Sequence, residues 1–112
     1  MILVLVPHGV DVPAQLWERV AILPFGSPED VLAALQQARA AAVIVTDGLP
    51  QSGLEAVAQA VRATGKPCVE VRSERWDGEA FSPVSAACRG VISGFGTDGL
   101  VAAVGLVETQ RA

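Results

Sequence analysis

The sequence predicts an α/β domain in which helices cover both faces of a parallel sheet. Short apolar, β-branched runs recur at Ile2–Val6, Val20–Leu23, Ala42–Val45, Cys68–Val71 and Val91–Ile92. Most are separated by segments whose apolar residues repeat at helical spacing and whose ends carry capping residues. Continuous apolar runs mark strands covered on both faces. Strands that alternate with helices pair in parallel through right-handed crossovers.

Each element follows from its residues. Ile2-Leu3-Val4-Leu5-Val6 forms the first strand, which Pro7-His8-Gly9 ends. Val12–Arg19 has room for no more than a short helix near Pro13, before Val20-Ala21-Ile22-Leu23 supplies the second strand. Ser27-Pro28-Glu29-Asp30 is a helix start, with serine as N-cap, proline at the first helical position and acids in the first turn. Val31, Leu35 and Ala38 then share one face, and Leu32 widens it.

After the third strand, Asp47-Gly48-Leu49-Pro50 turns the chain into a helix around Gly53–Thr64. Leu54, Val57, Ala58 and Val61 make its apolar stripe, and Gly65-Lys66-Pro67 stops it. Arg72 to Ala80 carries charge and turn formers without a period and reads as a loop, and Ser82 to Cys88 reads as a short helix. Gly94 and Gly96 follow the last strand, and Thr97 caps a helix through Val107. The whole describes a flavodoxin-like three-layer sandwich with a five-stranded parallel sheet, one domain over 1–112.

Composition narrows the function classes. The chain is 51% hydrophobic and only 18% charged, which favours a homo-oligomer that buries part of its surface. A net charge of −4 and the lack of any basic run argue against nucleic acid. No stretch reaches the length of a membrane span. Met1–Val6 has neither the basic start nor the cleavage site of a signal peptide, so a cytoplasmic protein is expected. Cys68, Cys88 and the single histidine have no metal-ligand spacing. Two buried, reduced thiols and no metal are the expectation.

The C-terminal run Gly90-Val91-Ile92-Ser93-Gly94-Phe95-Gly96-Thr97-Asp98-Gly99 is more specific than its physics alone. It resembles G-V-I-x-G-x-G-x-x-G, the terminal motif of type II 3-dehydroquinate dehydratases. Val69-Glu70-Val71 resembles that family's I-E-V strand, and Ser82-Pro83-Val84-Ser85 its S-Y-V-S. The resemblance covers roughly Val43 to Val107. It implies trimers that associate into dodecamers, and loss of water through an enolate without metal or cofactor. The family uses a tyrosine as base, a histidine as general acid, and asparagines around the enolate.

At most of those positions this chain departs. The family's I-N-G-P-N-L-N corresponds to Leu5–Asp11, so its functional asparagine falls on Gly9. Thr46-Asp47-Gly48 stands where the family has N-P/A-G. Ser52 stands where a substrate-binding histidine is expected, and Arg72 in place of the general acid. The chain has no tyrosine, and the arginine expected soon after Phe81 is missing. Glu70 alone matches among the polar site positions. Losing a general base forfeits roughly 10²–10⁴-fold in rate, and arginine stays protonated, so it cannot act as a general acid. Arg72 can instead pair with a carboxylate, on Glu70 or on a ligand.

The resemblance therefore points to a divergent relative without ordinary dehydratase activity, keeping the fold for assembly or for a small carboxylated ligand. Gly9, Thr46, Asp47, Gly48, Ser52, Glu70, Arg72 and Ser73 are its candidate ligand-binding residues. A second reading is a lyase or other enzyme of changed substrate, using His8, Asp11, Asp47, Ser52 and Arg72 in the same cleft. His8 ends the first strand, and Asp11 is close enough in sequence to orient it as a base. The plain alternative is a loop histidine bonded to backbone, with Asp47 and Ser52 serving turn and cap. A third, more distant reading is a pseudo-receiver with Asp47 as phosphoacceptor. That reading lacks the acids for Mg²⁺. Of the two tryptophans, Trp17 and Trp76, Trp76 lies in the polar loop Glu74-Arg75-Trp76-Asp77 and is a candidate for covering the pocket or an interface.

Overall fold

A computed structural model describes residues 2–37, 41–47, 49–72, 88, 90–93 and 98–111. The elements run β1 (Ile2–Pro7), a 3-10 turn (Ala14–Leu16), β2 (Val20–Phe25), α1 (Pro28–Gln37), β3 (Ala42–Val45) and α2 (Gln51–Thr64). Then come β4 (Cys68–Arg72), β5 (Gly90–Ser93) and α3 (Asp98–Arg111). The strands lie in the order β2-β1-β3-β4-β5 and every neighbouring pair is parallel. This α/β order fits the flavodoxin-like arrangement, with its switch point between β1 and β3.

Alternation along the strands divides the core between the two faces. Val4 and Val6 of β1, Val43 and Val45 of β3, and Val69 and Val71 of β4 pack with Leu100, Ala103, Val104 and Val107 of α3. Val12 and Leu16, around the 3-10 turn, complete that side. Leu5, Ile44 and Cys68 face the other way, against Val31 and Leu35 of α1 and Leu54, Val57, Ala58 and Val61 of α2. The expected helix stripes are therefore the buried ones, joined by Ala34; Ala38 lies outside the described residues.

Several boundaries move. β2 runs through Pro24 to Phe25, which a central strand would not tolerate. Phe25 offers its carbonyl to the His8 N–H at 3.0 Å, on the β1 side. Backbone direction alternates along a strand, so Pro24 turns its missing donor to the open edge and blunts it against further pairing. Helix α2 starts at Gln51, with Pro50 in extended conformation before it, earlier than the stripe alone implies. Gly65 ends it in the left-handed region at φ 67°, the conformation glycine adopts without strain. Arg72 is the last residue of β4 and does not open a loop. The short helix expected at Ser82–Cys88 and the turn at Gly94–Thr97 fall outside the described residues, Cys88 excepted. Among the described residues, no helix is long and apolar enough to cross a membrane.

Candidate functional site

In a doubly wound sheet, ligands sit outside the carboxyl ends of the strands. Here those ends bring His8, Gly9, Thr46, Asp47 and Arg72 to one edge. Gly9 follows β1 at φ 89°, where the Val10 N–H closes a turn onto the Pro7 carbonyl at 3.2 Å. That conformation is strained for any residue with a Cβ.

Thr46 and Glu70 are both buried, 1% and 0% exposed. Ile44 pairs with Glu70 and Val45 with Val71, so alternation carries Thr46 and Glu70 to the same face, towards α1 and α2. The Thr46 hydroxyl donates to Glu70 Oε2 at 2.7 Å, and the Thr46 N–H donates to the Val71 carbonyl at 3.1 Å. A carboxyl group at that depth needs such donors. The pair forms the floor of the edge, below its open surface.

Arg72 is half-buried, on the same face of β4 as Glu70. Its guanidinium makes no hydrogen bond or ion pair within the described residues. Asp47 is half-buried and Ser52, in the first turn of α2, is exposed. Gly48 and Ser73 lie outside the described residues.

His8 and Asp11 are both exposed, and no hydrogen bond or ion pair joins them. The register sets a different neighbour for His8. Pro7 pairs with Phe25, so the next residue, His8, comes beside Gly26. A Cβ on Gly26 would stand 3.1 Å from His8 Cδ2 and 3.9 Å from Asp30 Oδ2. Asp30 Oδ2 accepts the Gly26 N–H at 3.0 Å, so the acid that favours the α1 N-terminus also holds this loop. Reading along the chain missed that double use. The signal available was a glycine closing a strand, followed four residues later by an aspartate.

Cys68 is buried and Cys88 half-buried, no disulfide joins them, and the Cys68 thiol donates to the Lys66 carbonyl at 3.6 Å. Burial, with smaller contributions from Cys68 and Glu70, pushes the Cys88 thiol well above its ordinary range. It is a thiol at neutral pH and a poor nucleophile. Among the described residues, no three metal-ligating side chains converge. Trp17 is 61% exposed, with its Nε1 donating to the Val12 carbonyl at 2.8 Å, while Trp76 lies outside the described residues. A groove of about 380 Å³ between α1 and α2 is lined by Leu35, Gln36, Ala60, Ala63 and Thr64. It lies at the helix C-termini, away from the carboxyl ends of the strands, and its described lining carries no titratable group.

Fold and edge together define an α/β domain of flavodoxin-like order with a polar carboxyl edge over a buried Thr46–Glu70 pair. No protein-family model and no curated protein sequence matches the chain. Among solved structures, the fold is similar to that of a 3-dehydroquinate dehydratase-like protein from Bifidobacterium longum. The TM-score is 0.67 at 18% identity, covering 100% of this chain and 97% of that one. At that identity the likeness establishes a shared fold.

Proposed function

We propose that this chain is a divergent relative of the type II 3-dehydroquinate dehydratases that binds a small carboxylated ligand at the carboxyl edge without ordinary dehydratase activity. The observation that carries it is Arg72. Its guanidinium has no ion-pair partner among the described residues, while Glu70, on the same strand face, accepts a hydrogen bond from Thr46. An arginine so placed can grip a carboxylate through two parallel hydrogen bonds. It cannot release a proton in the manner of the histidine that the resemblance places there. The lack of any tyrosine removes the family's base as well.

Assembly is part of the same reading: a homo-oligomer, trimer-based by resemblance. A charged fraction of 18% and the exposure of Trp17 (61%), Leu23 (42%) and Leu106 (36%) support it. Sedimentation equilibrium reads it directly, and a monomer at all concentrations refutes it.

The ligand reading is tested by thermal unfolding with and without millimolar 3-dehydroquinate, alongside the absorbance of the enone product. Ligand at about 100 times its Kd stabilises the fold by about 2.7 kcal/mol. The expected result is a raised Tm without product, and loss of the shift in Arg72→Leu. Product formation overturns the inactive reading, and an unchanged Tm overturns the ligand.

A further inference from the structure

The contact between His8 and the loop after β2 assigns a role to a residue that the ligand reading leaves out. A Cβ built on Gly26 would lie 3.4 Å from His8 Nε2 and 3.1 Å from His8 Cδ2, the latter closer than ordinary packing. Among the described residues only Gly9 and Gly65 have positive φ. Glycine at position 26 is therefore explained by the approach of the imidazole, and backbone conformation does not require it. Three bonds hold the arrangement. The His8 N–H donates to the Phe25 carbonyl at 3.0 Å, the Gly26 N–H to Asp30 Oδ2 at 3.0 Å, and the Asp30 N–H to Ser27 Oγ at 3.4 Å.

We propose that Asp30 is the positioning residue of His8. The carboxylate fixes the Gly26 main chain, and that surface fixes the imidazole on the β2 side of the carboxyl edge. There His8 offers a ring N–H to the carboxylated ligand proposed above, at the β1 end of the edge where Arg72 holds the β4 end. The two ends are separated by two inter-strand spacings, about 10 Å. The ligand class is thus an anion with a second hydrogen-bond acceptor well removed from the carboxylate that Arg72 holds. The role in binding rests on the ligand reading; the positioning of the ring does not.

The test uses the full chain, isotope-labelled for NMR, in which the single histidine makes the ring signals unambiguous. The Gly26 amide and α-proton signals are expected to carry a ring-current displacement that disappears in His8→Ala. Asp30→Ala removes it too and speeds Gly26 amide exchange about fivefold, the worth of one hydrogen bond. Asp30→Asn keeps an acceptor and restores both, and Asp11→Ala changes neither. Gly26 signals that ignore His8→Ala, or an Asp11→Ala effect equal to that of Asp30→Ala, overturn the proposal. A second arm compares the 3-dehydroquinate Tm shift in His8→Ala, Asp30→Ala and the double variant. Residues acting as one unit give a double variant no worse than either single one; additive losses overturn the shared role. If the unsubstituted chain shows no Tm shift, the ligand reading has failed, and the NMR arm still decides the positioning.

Discussion

The Thr46 hydroxyl donates to Glu70 Oε2 at 2.7 Å, across neighbouring parallel strands and with both side chains buried. Thr46→Val keeps the shape of the side chain and removes this donor. A buried carboxyl group deprived of a donor costs about 1–3 kcal/mol. Urea unfolding of Thr46→Val should show that loss with an unchanged m-value. A stability within about 0.5 kcal/mol of the parent, the scale of an ordinary surface change, would mean that the other groups around Glu70 suffice without Thr46.

Two glycines in helices are expected to respond with opposite sign to the same substitution. At Gly53 in α2, a Cβ would stand 2.7 Å from Pro28 Cγ and 3.2 Å from Pro28 Cβ, where the N-terminal turns of α1 and α2 meet. Overpacking of this kind costs about 1–3 kcal/mol and outweighs the roughly 0.8–1 kcal/mol that alanine gains in helix propensity. Gly53→Ala should therefore lower stability. At Gly105 in α3 a Cβ would meet nothing within 4 Å among the described residues, so Gly105→Ala should raise it by about 0.8–1 kcal/mol. Denaturant midpoints of the two variants shifting in the same direction would contradict this packing.

What the sequence made legible was local. Val31 and Leu35, or Leu54, Val57, Ala58 and Val61, show their burial through spacing alone, because helical period and core face are the same fact. Gly65 marks its own left-handed cap. The candidate site was legible only as a set of strand ends. Asp11, three residues on, looked the natural partner of His8, yet the register of Pro7 with Phe25 brings Gly26 beside it instead. Glu70 had Arg72 two residues away on its own face, yet Thr46 of the neighbouring strand supplies the hydrogen bond. Both outcomes depend on strand register, a non-local property that no short window contains.

Cys88 gives a stability prediction at alkaline pH. Burial, then Cys68 and then Glu70, raise its thiol above the ordinary value of 9.0. Below that value the thiol is protonated in both folded and unfolded chains and has no effect on the pH dependence. Above it the unfolded chain releases the proton while the folded chain retains it, so the unfolded state binds fewer protons and stability falls as pH rises. The slope from one such group approaches about 1.36 kcal/mol per pH unit. The chain has no tyrosine, which removes the phenol that commonly titrates in the same range. Urea unfolding between about pH 8 and pH 10.5 should therefore show a steeper alkaline loss in the parent than in Cys88→Ala. Equal slopes in the two proteins would mean that the Cys88 thiol ionises as readily folded as unfolded, and would remove its burial against the α1 and α2 face.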